Sequence, residues 1–448
     1  MSPVNFGASQ GVVLKRFFIS LGIAVLGLLL GSCSRGPNAG VEIASGGADS
    51  LSAVLSPAMA TDGSHWYIVW EDRKTRGIWL RRSQSAASSE GTPIDVTATL
   101  RTPGVEGPAA ALAGKLPSTS PVIAVFPKGN SSRVYVAWQE LLFPQNLEIY
   151  LSYAELAQET LQFKKPINVS SNSGASGRSL LFGKEDGATD GNLDLAIGPA
   201  GQVYVVWTEG QKGLLFRRSL DGGATFPVSR RLPVGDTAPR FPKLAVDGQG
   251  NLYVAWADAS VESGDIFLIK SSDGGETWSE PLNLSNSKGF SDAPSIAFGG
   301  PDTVLVVYDD TTDDPLGHVN IARSTDGGRT FSAPKEISAP KHGGYPKIAR
   351  DAEGRLVVAF MEVQAGGTQR SLAFTISTDG GLSFSSPQTI PGTDLPAITK
   401  VLSEAGRPFQ LAFVKSKEFA IVWNGLFAEP GNSKTPSSKI FFTRWSPN

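Results

Sequence analysis

Four closely similar turns recur in the second half of the chain, and their constant spacing constrains the fold more than any other feature. They have the form Ser-x-Asp-Gly-Gly-x-Ser/Thr-aromatic, and their aspartates, Asp221, Asp273, Asp326 and Asp379, are 52, 53 and 53 residues apart. A recurrence at about 50 residues predicts a repeat architecture in which each repeat is one supersecondary unit. In such turns aspartate accepts hydrogen bonds from nearby backbone amides, and glycine adopts positive φ without steric cost.

These turns resemble the Asp box (S-x-D-x-G-x-T-W) of sialidases and other β-propellers. In that family the turn joins the third and fourth strands of a blade and lies on the face away from the active site. We call the face of the turns the lower face and the opposite one the upper face. The resemblance implies that Asp221, Asp273, Asp326 and Asp379 have a structural role and not a catalytic one.

A longer pattern predicts the number of blades. Seven apolar hairpins each place an alanine in the first strand and an aromatic residue near the end of the second, and the alternation of side chains is typical of strands. A third strand follows each hairpin, and a fourth follows each turn. We therefore predict an all-β propeller of seven four-stranded blades, with six blades, as in sialidases, as the alternative. The alanine and aromatic pairs are Ala60/Trp70, Ala124/Trp138, Ala196/Trp207, Ala245/Trp256, Ala297/Tyr308, Ala349/Phe360 and Ala412/Trp423.

The seventh unit lacks a fourth strand, because only residues 445–448 follow its third strand at 440–444. An open edge would expose unpaired N–H and C=O groups. The segment Val41–Ser45 is the one spare strand-like stretch, so we predict that it pairs with residues 440–444 and closes the ring. Residues 41–448 are then a single propeller domain, entered from the lower face.

The N-terminal segment has the order of a signal peptide. Lys15 and Arg16 precede an apolar run of 14 residues, Phe17–Leu30, and then Leu30-Gly31-Ser32-Cys33. A charged region, a short apolar region and small residues before a cleavage site indicate export. Fourteen apolar residues fall short of the ~20 that span a bilayer, although a secreted protein and a spanning anchor remain alternatives.

The cysteine motif resembles the lipobox of bacterial lipoproteins, in which the cysteine is lipidated and becomes the new N-terminus. This implies a signal peptide at 1–32, lipidation of Cys33, a tether at 33–40 and attachment to a membrane of the bacterial cell envelope. Ser34 is compatible with outer-membrane sorting in a Gram-negative host.

Composition excludes several functions. The net charge is −2, so the chain offers no broad basic field for nucleic acid. Cys33 is the single cysteine, which rules out an internal disulfide, and the three histidines have no H-E-x-x-H spacing. We expect a monomer without a cofactor.

Acidic residues recur two positions after the closing aromatic in six of the seven hairpins. The loop between second and third strands of a propeller faces the upper side, so these carboxylates are expected to form a broken ring. Converging like charges need cations or shifted pKa values, which favours a site for a metal ion, an amine or a basic partner segment. Alternatively, each carboxylate bonds backbone in its own loop. The acidic run at 309–314 could also hold Ca²⁺ through oxygen ligands. The six residues are Asp72, Glu140, Glu209, Asp258, Asp310 and Glu362.

Sialidases bind the substrate carboxylate with three arginines and use a Tyr–Glu nucleophile pair with an Asp acid/base. Bidentate arginine suits a carboxylate. The F/Y-R-I-P signature of that family has no counterpart at residues 46–57. The candidates by position are Arg101, Arg178, Arg240 and Tyr345. Five further arginines on third strands are predicted to point into solvent: Arg81, Arg82, Arg217, Arg218 and Arg323.

Two functions follow. The first is a membrane-anchored, non-catalytic scaffold that binds a protein or glycan of the envelope. The second is an exo-acting glycosidase of sialidase type, which requires arginines converging beside a Tyr–Glu pair on the upper face.

Overall fold

A computed structural model gives the fold of the chain from Gly40 onward. Within the described residues no helix is long and apolar enough to cross a membrane. Cys33 and the rest of the N-terminal segment lie outside the described part. The residues described are 40–47, 53–83, 91–100, 118–129, 131–142, 146–157, 160–171, 193–209, 213–227, 229–235, 238–258, 264–364, 370–393, 409–415, 418–429 and 432–445.

The first strand, β1 (Val41–Gly47), belongs to the last blade, and blades 1 to 6 then follow in chain order. Each blade is an antiparallel sheet of four strands in sequential order, and blade 2 carries one more short strand, β9, paired with β8. One 3₁₀ turn, Ala98–Leu100, follows blade 1. The strands of blades 1 to 3 are β2 (Val54–Thr61), β3 (Trp66–Asp72), β4 (Gly77–Ser83), β5 (Ile94–Asp95), β6 (Ser118–Lys128), β7 (Ser131–Leu142), β8 (Asn146–Ala157), β9 (Thr160–Phe163), β10 (Ile167–Asn168), β11 (Leu193–Ile197), β12 (Val203–Thr208), β13 (Leu214–Ser219) and β14 (Arg230–Arg231).

Blades 4 to 6 repeat the same order, whereas blade 7 takes its fourth strand from β1, and the last strand of the chain is the longest of the described strands at 14 residues. Their strands are β15 (Pro239–Val246), β16 (Leu252–Asp258), β17 (Asp265–Ser271), β18 (Leu282–Asn283), β19 (Ser291–Gly300), β20 (Thr303–Asp310), β21 (His318–Ser324), β22 (Lys335–Glu336), β23 (His342–Arg350), β24 (Leu356–Val363), β25 (Arg370–Ser377), β26 (Gln388–Thr389), β27 (Phe409–Lys415), β28 (Glu418–Glu429) and β29 (Asn432–Trp445).

The hydrophobic core is divided among the seven junctions between neighbouring blades. Seven buried clusters lie between blades 1–2, 2–3, 3–4, 4–5, 5–6, 6–7 and 7–1. Each blade therefore buries both faces of its sheet, which explains the continuous apolar second strands such as β12 and β16. The first strands also contact one another in sequence around the axis, including β2 with β27. The prediction of a seven-bladed propeller is confirmed.

Blade 7 closes the ring with a strand from the start of the domain. β1 runs antiparallel to β29, with Val41 opposite Phe442 and Gly47 opposite Ser437. Ile43 is 4% exposed within the junction of blades 7 and 1. The hydroxyl of Ser438 accepts a bond from the Val54 amide of blade 1 at 2.8 Å. The predicted closing strand is thus present, extends two residues beyond Ser45, and begins at the lower face.

The four repeated turns, residues 219–226, 271–278, 324–331 and 377–384, share one hydrogen-bond pattern. In the second, Asp273 Oδ1 accepts from the amides of Glu276 at 3.0 Å and Thr277 at 2.9 Å, while Oδ2 accepts from the Thr277 hydroxyl at 2.5 Å. Both glycines of this turn have positive φ, and a Cβ on Gly275 would lie 2.4 Å from Phe216 of blade 3. Glycine is therefore required there by backbone conformation and by the close approach of the neighbouring blade.

Each repeated turn is also held by a basic side chain of the preceding blade. The carbonyl of the first glycine accepts a bond from that cation, as Gly274 does from Arg218 Nη1 at 2.6 Å and Gly380 from Arg323 Nε at 2.9 Å. Arg133 and Lys270 bond Gly222 and Gly327 in the same way, at 2.8 and 2.7 Å. The prediction that the third-strand arginines point into solvent is wrong, since all five are half-buried. The curvature of the ring brings the third strands of blades 3, 4 and 5 against the turn of the next blade.

Candidate functional site

The six predicted acidic positions lie at the upper ends of the second strands, and the side chains of five of them accept hydrogen bonds within their own blades. Asp72 Oδ1 accepts from the Thr75 amide at 2.9 Å, and Asp258 Oδ1 from the Ala238 amide at 3.0 Å. Glu140 Oε2 accepts from the Ser118 hydroxyl at 2.6 Å and from Trp138 Nε1 at 2.8 Å.

Asp310 and Glu362 have the most extensive local bonding of the six. Asp310 accepts from the Thr312 amide and the Ser291 hydroxyl, both at 2.7 Å. Burial alone would raise the pKa of Asp310, but these bonds outweigh it and lower the pKa below its usual value. Glu362 is only 8% exposed, and burial is likewise outweighed by the Lys341 ammonium at 2.6 Å and the Thr389 hydroxyl at 2.7 Å, so its pKa is also lowered.

Glu209, the remaining member, is half-buried. Its backbone amide donates a hydrogen bond to the Gly213 carbonyl. Asp72 and Asp310 therefore bond backbone amides of their own loops, whereas Glu140, Asp258 and Glu362 bond groups elsewhere in their blades. Collective binding of a cation by these six positions stays a prediction.

A strained bulge recurs at the upper ends of the first strands. In five blades a non-glycine residue directly before proline has φ between 50° and 55°, and the strand register shifts there. Positive φ is costly for such residues and persists only where surrounding contacts impose it. The five residues are Ser56, Ser120, Phe241, Ala293 and Tyr345.

Carboxylates from the second strands bond these bulges across blade junctions. Glu71 Oε2 of blade 1 accepts from the Ser120 amide at 3.3 Å, and Asp309 Oδ2 of blade 5 accepts from the Tyr345 amide at 3.4 Å. Asp292 Oδ1 accepts from the adjacent Ala293 amide at 2.9 Å. These three carboxylates on the upper side therefore accept hydrogen bonds from the backbone amides of the bulges.

One continuous polar cluster spans blades 4, 5 and 6 at this level. It contains Arg240, Asp292, Asp309, Tyr345 and Arg370, and we call it the rim cluster. Arg240 Nη2 donates to Asp292 Oδ2 at 2.9 Å, and its guanidinium carbon lies 4.7 Å from the centre of the Phe290 ring. Asp292 and Asp309 are direct cross-strand partners in blade 5. Neighbouring cross-strand side chains interact, so the cluster joins three blades through one pair of aspartates.

Arg370 differs from the other charged members of the rim cluster. It begins β25, is half-buried, and interacts electrostatically with Tyr345. Burial lowers the pKa of Arg370, and Tyr345 partly opposes this effect. Among the described residues it makes no ion pair or hydrogen bond through its side chain. The two arginines and two aspartates of the rim cluster balance in charge, and among the described residues Arg240 is the arginine of the two that makes an ion pair.

Below the rim cluster lies a cavity on the axis, lined by the first strands of all seven blades. Its volume is about 170 Å³, below the ~300–1,000 Å³ of ordinary small-molecule sites. Asp194 and Lys243 face each other there with a 3.9 Å separation between Oδ2 and Nζ. The axial cavity is large enough for ordered water and too small for a drug-sized ligand.

The structure brings together two of the four residues proposed from the sialidase resemblance. Arg240 and Tyr345 enter the rim cluster from opposite sides of blade 5, whereas Arg101 and Arg178 lie outside the described residues. Sequence reasoning missed Asp292 and Arg370, and it named Asp309 only as part of the acidic run at 309–314. The repeat contained a signal for Asp292, because Arg240 and Asp292 both stand two residues before the proline of their first strands.

Comparisons with known proteins give a likeness of fold. No family model matches the chain, and no curated protein matches its sequence. An ulvan lyase, a polysaccharide lyase solved with a -[GlcA(1-4)Rha3S]- saccharide bound, superposes with a TM-score of 0.54 at 10% identity over 90% of this chain and 95% of that one. A protein of unknown function from Dyadobacter fermentans gives 0.49 at 12% identity over 90% and 98%. A Hadza microbial sialidase gives 0.46 at 14% identity over 90% and 68%. Identities this low establish the shared propeller fold alone.

Proposed function

We propose that the protein is a membrane-tethered propeller that binds an acidic glycan of the bacterial cell envelope at the rim cluster without cleaving it. The observation that carries this proposal is Arg370, a half-buried guanidinium without an ion-pair partner among the described residues, next to Tyr345. A planar guanidinium in a partly dry site is suited to a carboxylate or sulfate group.

Two further observations support it. The ulvan lyase of the same fold was solved with a saccharide containing glucuronate and a sulfated rhamnose. Moreover, four carboxylates of the upper side are engaged in local bonds and in bulge contacts: Glu71, Asp292, Asp310 and Glu362. Groups held in this way are poorly placed to exchange protons with a substrate, which favours binding over hydrolysis.

The test is direct titration with saccharides. Calorimetry or NMR with a glucuronate oligosaccharide, a sialyl oligosaccharide and a neutral oligosaccharide of equal length should give binding to an acidic ligand only. Arg370→Ala should weaken binding by at least about 10-fold, since charged hydrogen bonds contribute about 1.5–3 kcal/mol. Arg350→Ala, which removes an exposed arginine from the lower end of β23, is the matched control and should bind normally. Equal affinity for the neutral ligand, or no effect of Arg370→Ala, would contradict the proposal.

The second candidate function is an exo-acting glycosidase of sialidase type. It is favoured by the placement of Arg240 and Tyr345 around the Asp292–Asp309 pair. Fluorogenic sialosides and glucuronides distinguish the two functions. Release of fluorophore that Asp309→Asn and Tyr345→Phe both abolish would establish the enzyme and displace the binding scaffold.

The tether is the remaining part of the proposal. The lipobox-like sequence ending at Cys33 supports lipidation, and the start of β1 at the lower face supports presentation of the rim cluster away from the membrane. Only residues 34–40 separate Cys33 from Val41, a reach of at most ~26–29 Å. Cys33→Ala should move the protein from the membrane fraction to the soluble one. An unmodified Cys33 in the intact mass of membrane-extracted protein would contradict lipidation.

A further inference from the structure

Two of the three histidines meet an aspartate on the upper side of the junction between blades 5 and 6. Asp314 lies in the loop between β20 and β21, His318 begins β21, and His342 begins β23 of the next blade. One ligand atom from each residue lies within 4.8 Å of the other two. A tetrahedral ion with bonds of about 2.0–2.1 Å holds its ligand atoms roughly 3.3 Å apart. Side-chain rotations that move these atoms by about an ångström therefore complete such a site.

We propose that Asp314, His318 and His342 bind a divalent transition-metal ion of the Zn²⁺ class. Two imidazoles and one carboxylate are a donor set of that class, and they leave a fourth position for water or another ligand. His342 Nδ1 is already in ion-pair contact with Asp314 Oδ2.

The surroundings orient these ligands. Asp314 Oδ1 accepts from the Leu316 amide at 2.9 Å, and the Asp314 carbonyl accepts from the Gly317 amide at 2.9 Å. The Gly317 carbonyl accepts from Gly343 at 2.9 Å, which fixes the loop to blade 6. Glu336 Oε1 lies 3.7 Å from His318 Nδ1, where outer carboxylates commonly fix the tautomer of a metal-binding histidine. Nε2 of His318 is then the ligand atom.

The same contacts argue against Ca²⁺, which the acidic run at 309–314 suggested. Ca²⁺ takes about 6–8 oxygen ligands. Within the described structure, however, Asp309 bonds the Tyr345 amide and Asp310 bonds Ser291 and Thr312. Asp314 is the member of the run that joins the two imidazoles.

The inference is independent of glycan binding and is tested with metal alone. Full-length protein with Cys33→Ser and an affinity tag without histidine is titrated with ZnCl₂ and, separately, with CaCl₂. We expect one equivalent of Zn²⁺, no uptake of Ca²⁺, and a rise in melting temperature with Zn²⁺, because an ion that bridges two blades binds the folded state. Substituted Co²⁺ should show the visible absorption of a nitrogen- and oxygen-ligated site.

Variants locate the ion. His318→Ala and His342→Ala should each weaken Zn²⁺ binding by at least about 100-fold, beyond the roughly 10–100-fold loss seen for outer partners. Glu336→Gln should produce a smaller loss, and His65→Ala, which removes the third histidine on the lower side, should bind like the parent. Absence of Zn²⁺ binding at millimolar metal, retention of it in the double variant His318→Ala/His342→Ala, or its loss in His65→Ala would each overturn the proposal.

Discussion

The lower and upper faces of this propeller use the same residue types in opposite ways. On the lower face four aspartates make the same set of contacts, and the bonds that a Thr or Ser hydroxyl donates to their Oδ2 atoms are 2.6, 2.5, 2.6 and 2.5 Å long. On the upper face the acids at equivalent positions vary in their partners, from the Thr75 amide to the Lys341 ammonium, although Glu140 and Asp310 both accept from the serine hydroxyl opposite them. The repeated contacts of the lower face build the ring, and the varied contacts of the upper face mark the surface available for function.

The largest expected effect is loss of the closing strand, which destabilises the whole ring and therefore both faces. Deletion of residues 41–45 exposes the edge of β29 and the buried site of Ile43, so the free energy of unfolding should fall by about 5 kcal/mol or more. A thermal melt monitored by circular dichroism measures this loss of stability. Deletion of 35–39 is the control and should shift the melting temperature by less than about 1 °C. A cooperative melt near the parent temperature after deletion of 41–45 would show that another segment covers β29.

Glu362→Gln tests the upper face. Lys341 would lose its charged partner at a site where Glu362 is buried, and we expect the free energy of unfolding to fall by about 2–3 kcal/mol. Glu209→Gln, at the equivalent but half-buried position of blade 3, should cost less than about 1 kcal/mol. Chemical denaturation provides both values. If Glu362→Gln instead leaves stability unchanged and abolishes binding of a cation or basic peptide, the acidic positions act as a ligand site.

Asp273→Ala tests the lower face. It removes the acceptor for two turn amides and one hydroxyl, and because the side chain is exposed we expect a loss of only about 1 kcal/mol. The melting temperature should fall by about 1–2 °C, while affinity for an acidic saccharide stays constant. Glu280→Ala, an exposed acid in the same blade, is the control. Lost saccharide binding with an unaltered melt would reverse the roles assigned to the two faces.

The smallest expected effect is the dependence of stability on low pH. Bonds from the hydroxyls of Ser219 and Thr225 lower the pKa of Asp221 from 3.8 to about 2. The stabilisation is therefore complete above about pH 3.8 and is lost as the pH falls toward 2. For this exposed group the effect is roughly 0.5 kcal/mol or less. The difference in melting temperature between parent and Asp221→Asn should shrink between pH 5 and pH 2, and a difference that grows would contradict this linkage.

The fold could be predicted because its determinants repeat along the chain. The four turns gave the spacing, the alanine–aromatic hairpins gave seven blades, and the missing fourth strand pointed to Val41–Ser45. None of these features depends on how the blades face one another.

The candidate sites could not be predicted in the same way, because they are made between blades. Arg240, Asp292 and Tyr345 come from three separate repeats, and their contacts exist only once the ring places those repeats side by side. His318 and His342 looked scattered for the same reason. Half-burial of third-strand arginines also follows from ring curvature, which is why a solvent-facing orientation was the wrong expectation.

The closing ladder has a mechanical consequence. Val41 and Phe442 are 401 residues apart in sequence yet lie opposite each other, and both chain ends leave the ladder on the same side. A force applied between the N-terminal segment and the C-terminus would therefore open β1 from β29 one hydrogen bond after another, like a zipper, instead of shearing all bonds at once. Unfolding under such tension is governed by the rate of opening and not by equilibrium stability. The seam should yield at low force, whereas pulling through an internal blade must break an intact sheet.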